Sequence, residues 1–243
     1  MLLLTTRWAE KYMQLNPTVA VYAEGGGSAL GIEGLIKGDV SICAASRPLR
    51  SEEAQLLVKK QGRLGMRFLV AKDAISIFIH PNNPVNTLTM EQLKQIYLGH
   101  ITNWQQVGGI NESIQLYIRS PNSGTFLYFR EHVLNDDPYS THAITMPTTK
   151  SIVNAVADHR NAIGYGGIAY GLEIKLCRIN DIAPTIANIQ NDSYPLIRYL
   201  YLYTVDTPKG VTKAFIDWVI SDGQAIVKEV GYAPLWENAD DNE

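Results

Sequence analysis

The chain has 243 residues, 46% hydrophobic and 19% charged, which is enough apolar side chain for one compact two-lobed protein or two small domains with real cores. Its 21 basic and 24 acidic residues leave a net charge of −3, so charge gives no reason to expect nucleic acid or an anionic membrane as partner. No apolar run approaches a membrane span, and Met1-Leu2-Leu3-Leu4 meets Thr5, Thr6 and Arg7 too soon to read as a signal peptide.

In chain order, Leu4, Trp8, Tyr12 and Leu15 mark one face of a first helix that Asn16-Pro17 ends. Thr18 to Ala23 reads as a short strand, Glu24 to Ser28 as a loop, and Leu30 to Lys37 as a helix capped at Ser28. Val40 to Ala44 reads as a buried strand in which Cys43 is a free thiol; Cys43 and Cys177 fit no metal or redox spacing. Ser51-Glu52-Glu53 opens a helix with an acidic first turn. Met66 to Ile79 is strand-rich, with an interruption expected at Lys72-Asp73, and His80 to Pro84 is a breaker. Thr89-Met90-Glu91-Gln92 has capping-box spacing and opens a helix to Tyr97; Leu98 to Gly109 follows as a loop carrying Trp104.

Ile114 to Ile118 alternates and is rich in strand formers, and Phe126, Leu127, Phe129, Val133 and Leu134 recur at helical spacing. Between them lies Arg119-Ser-Pro-Asn-Ser123-Gly124-Thr125, turn chemistry with Ser123 as a good N-cap. Free N–H groups and the positive end of a helix dipole gather at such a junction. Two hydroxyls, a glycine and an arginine fork there suit a tetrahedral oxyanion; an ordinary strand-turn-helix junction is the alternative. Beyond it, Ile144 to Met146 is a strand, Ser151 to Ala157 a helix, Ala162 to Tyr165 a strand running into glycines, and Ile174 to Cys177 another strand. Asp181 to Pro195 is polar and irregular, Leu196 to Val205 is a strand, and Gly210 to Ile220 and Gln224 to Val230 are the last helices before an acidic, frayed tail at Asn238 to Glu243.

Strands alternating with helices predict an α/β protein with helices on both sheet faces. Ser28 and Ser123 each stand at a helix N-terminus after a strand, where open α/β sheets bind ligands. Rival chemistries fit poorly. Leu30 stands where a dinucleotide loop needs its third glycine, and no Walker lysine follows. The histidines lack metal-site spacing, and neither serine sits in a nucleophile elbow, so no catalytic residue, metal ligand or cofactor is expected. Trp104 and Tyr165 read as packing, and Arg198 as a structural ion-pair residue.

Several stretches together carry a further signal: Asn16-Pro17, Gly26-Gly27-Ser28, Gly38-Asp39-Val40 leading to Ala45-Ser46-Arg47 and Glu53, Trp104, Arg119 with Ser123-Gly124-Thr125, Ile163-Gly164-Tyr165, Tyr194-Pro195-Leu196 with Arg198, and Gly223-Gln224 with Gly231 to Leu235. In this order they resemble the phosphate-binding proteins of bacterial ABC transporters. The resemblance covers nearly the whole chain. It implies a two-lobed type II periplasmic-binding fold, each lobe a mixed sheet flanked by helices, with a hinge. Lobe one would be residues 1–80 plus 196–243 and lobe two 81–195. It further implies phosphate ligands at Ser28, Arg119, Ser123, Gly124 and Thr125, a monomer that delivers inorganic phosphate to permease subunits, and a periplasmic or membrane-anchored location. An oxyanion sensor on the same fold is the alternative, and a phosphoester hydrolase a more distant one.

Two departures from the family pattern stand out. The family opens with a strand and a hydroxyl-bearing loop that would lie before Met1, so the chain is expected to be N-terminally truncated. Arg47 stands where well-known members carry an aspartate that accepts a proton from phosphate; an arginine cannot accept. Ser46 and Arg47 are therefore candidates for either a phosphate contact or a lobe-closing contact.

Overall fold

The computed structural model describes residues 1–236; the expected acidic tail lies outside them. The chain divides into two compact units, Met1–Lys72 with the chain from Arg198 onward, and Asp73–Ile197.

In the first unit, helix α1 (Leu2–Leu15) buries Leu4, Trp8, Ala9 and Tyr12. The Trp8 indole donates to the Gly223 carbonyl at 2.8 Å, and the Tyr12 ring meets Phe215 edge-on at 5.1 Å, which ties α1 to the C-terminal helices. Helix α2 (Ser28–Lys37) starts one residue earlier than a Ser28 cap would require: Gly27 is the N-cap, at φ 93°, a conformation open to glycine at no steric cost. Strand β1 is only Cys43–Ala45, because α2 ends on a left-handed Gly38 and Val40 after it is exposed. Helix α3 (Ser51–Gln61) follows. Ile32, Leu35, Cys43, Ala45, Leu57 and Tyr203 form one core cluster.

Strand β2 (Met66–Ile79) is continuous through the expected interruption. Asp73 is fully buried there and accepts the Ile168 N–H at 3.1 Å, so the carboxylate has a polar contact and the ladder need not break. The expected strand at Thr18–Ala23 is not formed; Tyr22 is 88% exposed. A strand needs a neighbour to satisfy its backbone, and β1 pairs with β8 (Ile197–Thr204) instead, Cys43 opposite Tyr203 and Ala45 opposite Tyr201.

In the second unit the short β3 (Thr87–Leu88) leads to helix α4 (Met90–Leu98), which has the expected capping box: Thr89 Oγ1 accepts from Gln92 N and Gln92 Oε1 from Thr89 N. The expected loop after it contains a 3-10 turn, Trp104–Val107, whose Trp104 is fully buried with its indole donating to Asn161 O at 2.8 Å. Strand β4 (Gln115–Arg119), helix α5 (Gly124–His132), β5 (Ile144–Met146), helix α6 (Thr149–Asp158), β6 (Ala162–Gly167) and β7 (Lys175–Ile179) follow. The stretch expected to be irregular holds a short helix, α7 (Ile186–Gln190), capped by Thr185. The helices α8 (Gly210–Ile220) and α9 (Gln224–Val230), the last among the described residues, belong to the first unit.

Here β2 pairs antiparallel with β6 and β7, while β4 is parallel to both β6 and β5. The sheet is therefore mixed, as expected for an α/β protein. Phe78, Tyr117, Ile152, Val153 and Val156 form the core between this sheet and α6.

Candidate functional site

The parallel pairing of β4, β5 and β6 in the second unit brings their carboxyl ends to one edge, with Arg119 opposite Met146. Two helices start at that edge, α5 just after β4 and α6 just after β5. Neither has an acidic residue in its first turn, so the positive end of each dipole is left for an anion.

Ser123 is the N-cap of α5, and its Oγ accepts the Thr125 N–H at 3.2 Å. Ser123, Gly124 and Thr125 are all buried. The Ser123 N–H donates to Ser120 O at 2.9 Å, and Ser120 Oγ lies 2.6 Å from Asn122 Oδ1, which closes the turn between β4 and α5. The Arg119 guanidinium lies across the edge, Nη1 donating to Thr149 Oγ1 at 2.9 Å and Nη2 to Pro147 O at 3.1 Å. Beneath it Tyr165 stacks on Phe129 at 4.0 Å, and its hydroxyl lies 2.8 Å from that of Tyr139. Burial raises the Tyr165 phenol above its ordinary range, although the Tyr139 hydroxyl and the Arg119 backbone N–H pull the other way. Tyr165 thus stays neutral and anchors the end of β4.

The first unit gathers a second group. Ser28, the first residue of α2, is buried, and its Oγ accepts the Ser46 N–H at 3.1 Å with the Ser46 Oγ 3.3 Å away. Arg198, also buried, donates to Ser46 Oγ at 3.3 Å. Helix α2 likewise has no acidic residue in its first turn.

Arg47, expected as a ligand or a lobe-closing residue, meets a carboxylate of its own unit. Its Nη1 and Nη2 grip Glu53 at 2.7 and 2.6 Å, and Nη1 also donates to Pro48 O. Glu53 in turn accepts the Arg50 N–H at 2.8 Å. Burial works against the Glu53 charge, but the hydrogen bonds from Arg47 and Arg50 and their positive charges outweigh it and hold the carboxyl below its usual range. Glu52 and Glu53 already answer the dipole of α3, so this helix start differs from those of α2, α5 and α6.

The structure therefore gathers Arg119, Ser123, Gly124 and Thr125 in one group, and Ser28, Ser46 and Arg198 in another. One residue beside these groups, Thr149, lies outside those that the sequence singles out. Thr149 stands two positions before the helix expected at Ser151 yet begins α6, and Arg198, expected as a structural ion-pair residue, is buried and donates to Ser46 Oγ. For Thr149 the available signal was Thr148 three residues before Ser151, a capping spacing that starts the helix earlier. Among the described residues no group of three or more histidine, cysteine or acidic side chains could hold a metal ion, and no helix is long and apolar enough to cross a membrane.

The sequence model of the PBP superfamily domain matches residues 2–223. The PstS phosphate-binding protein of Pseudomonas aeruginosa is 31% identical, over 96% of this chain and 79% of that protein. The PstS of Bacillus subtilis is 29% identical, over 93% and 75%. A Clostridium perfringens protein assigned as a phosphate ABC transporter substrate-binding protein, solved with bound phosphate, superposes with a TM-score of 0.87 at 29% identity, covering 96% of this chain and 95% of that one. An ABC-type phosphate transport receptor of Vibrio cholerae gives a TM-score of 0.79 at 30% identity over 96% and 95%. With the mixed sheet, the helix starts at the strand ends and this agreement along nearly its whole length, the chain belongs to the PBP superfamily, has the type II periplasmic-binding fold, and falls within it in the family of the PstS phosphate-binding proteins.

Proposed function

We propose that this protein binds inorganic phosphate outside the cytoplasm and delivers it to the permease of an ABC transporter, acting as a binding protein and not as an enzyme. The observation that carries the reading is Arg119, held by Thr149 and Pro147 at a strand edge where two helices without acidic first turns begin. Phosphate at neutral pH carries one to two negative charges. An arginine fork with helix N-termini can balance that charge without crowding the site with cations.

The proposed ligands are Arg119, Ser123, Gly124 and Thr125 in the second unit and Ser28 in the first. The two units correspond, on this reading, to the family's lobes. For Ser46 we propose a supporting role: its N–H donates to Ser28 Oγ and holds that hydroxyl in place. Arg47 is proposed as structural, because Glu53 takes both of its terminal nitrogens. The names of the relatives support phosphate as cargo and a permease as partner.

Calorimetric titration with phosphate, sulfate and arsenate tests the reading. Phosphate should bind, and Arg119→Ala should lower the affinity by at least about 100-fold, about 2.7 kcal/mol. An unchanged affinity in that variant would remove the central claim. Release of phosphate from a chromogenic ester at a useful rate would instead favour an enzyme.

A further inference from the structure

We propose that Thr149 is the positioning residue for Arg119: its hydroxyl, fixed at the start of α6, sets the direction in which the guanidinium points. The inference rests on Arg119 being a phosphate ligand, as proposed above, and adds a residue outside the expected ligand set.

Four observations converge on Thr149. Its Oγ1 accepts from Arg119 Nη1 at 2.9 Å, while Pro147 O, two residues earlier, takes Nη2 at 3.1 Å. The two terminal nitrogens are thus fixed by one short segment, which determines the plane of the fork. Thr149 is 5% exposed, so water cannot readily replace its hydroxyl. Its backbone is immobilised by the Thr148–Ser151 capping box: Ser151 N donates to Thr148 Oγ1 at 3.0 Å and Ser151 Oγ to Thr148 O at 2.7 Å. Its methyl is seated over Gly166 of β6, where an added Cβ would stand 2.2 Å from Thr149 Cγ2.

Methyl against glycine on one side and hydroxyl toward arginine on the other leave the side chain a single useful rotamer. The threonine's stiffness at χ1 suits that task. Both acceptors are neutral oxygens, so neither cancels the guanidinium charge as it orients the fork. A carboxylate in the same place would orient it as well but would also compete with the anion.

Two readouts test this. In the protein without phosphate, nitrogen NMR of the Arg119 side chain reports whether rotation of the guanidinium is restricted. Thr149→Val, which keeps the shape and removes the hydroxyl, should free that rotation, and Thr149→Ser should restrain it again. In titrations, Thr149→Val should weaken phosphate binding about tenfold, about 1.4 kcal/mol, with Thr149→Ser recovering most of the loss. In an Arg119→Lys background the same Thr149→Val change should alter affinity less than about twofold, about 0.4 kcal/mol, because the hydroxyl acts through the guanidinium.

Unchanged guanidinium rotation in Thr149→Val overturns the proposal, as does an equal loss of affinity in both backgrounds. If the unaltered protein fails to bind phosphate, the functional reading falls, and the NMR comparison alone decides whether Thr149 orients Arg119. Thermal melting of each variant guards against misfolding as the cause.

Discussion

Gly166→Ala tests the packing that holds the Arg119 edge together. An alanine Cβ there would lie 2.2 Å from Thr149 Cγ2 and 3.0 Å from Phe78 Cε2. Carbon atoms settle at about 3.5–4.0 Å, so the new methyl overlaps Thr149 by more than about 1 Å. Phe78 behind it is fully buried and belongs to the core under α6, which leaves the methyl little room to retreat. Overpacking of this kind costs about 1–3 kcal/mol. Urea denaturation monitored by tryptophan fluorescence and circular dichroism should show a lower midpoint with an unchanged slope. The strain should also be local to one methyl. In a Thr149→Ser background that methyl is gone, and Gly166→Ala should cost less than about 1 kcal/mol, with Phe78 alone to accommodate. Equal costs in the two backgrounds would refute the argument, since the conflict would then lie elsewhere. A cost below about 0.5 kcal/mol in the unaltered background would mean that α6 is not seated on β6 as tightly as 2.2 Å requires.

The Arg47–Glu53 pair gives a pH signature. Glu53 titrates lower in the folded chain than in the unfolded one, so its contribution is present above the unfolded value, about 4.3, and is lost as pH falls through the folded one. Glu53→Gln should cost about 1–3 kcal/mol at pH 7 by leaving a buried Arg47 poorly matched, and the gap to the unaltered protein should narrow below about pH 4.3; a gap that persists unchanged to pH 3 in denaturant titrations speaks against the pair as its source. The two thiols offer a check on both cores. Burial pushes Cys43 and Cys177 each up to about 12, so neither should react with a thiol reagent in the native protein at pH 8, and prompt reaction of either would contradict its burial. Trp8→Phe removes the indole donor to Gly223 O and should destabilise the first unit by about 1–3 kcal/mol; a loss within about 0.5 kcal/mol, read by thermal melting, would show that this link to the C-terminal helices matters little.

What the sequence discloses here follows the range of the interactions involved. Thr89–Gln92, Ser123 over Thr125 and the ends of α8 and α9 are contacts within a few residues, so side-chain type and spacing suffice to locate them. The group proposed to bind an anion is legible for the same reason: Arg119, Ser123, Gly124 and Thr125 lie in one short stretch of chain. Thr18–Ala23 has a strand's composition, but composition cannot supply the neighbouring strand that a ladder needs. Lys72-Asp73 looks like a break until Ile168, 95 residues further on, brings its N–H to Asp73.

Thr149 is the most instructive case. It lies 30 residues from Arg119 and touches it only because β5 runs parallel to β4 with Met146 opposite Arg119, which delivers Pro147 and Thr149 to the guanidinium. The glycines of β6 belong to the same arrangement. Read alone, Gly164 and Gly166 look like loss of strand propensity; packed, they are where Ile152 and Thr149 of α6 approach to 2.2 Å of the Cβ each glycine lacks. A candidate ligand group can therefore be proposed from one short stretch of sequence, whereas the direction in which its side chains point depends on strand pairing and helix seating. That is why an engineered change at Gly166 should reach the arginine through Thr149, whose methyl meets the glycine and whose hydroxyl meets the guanidinium.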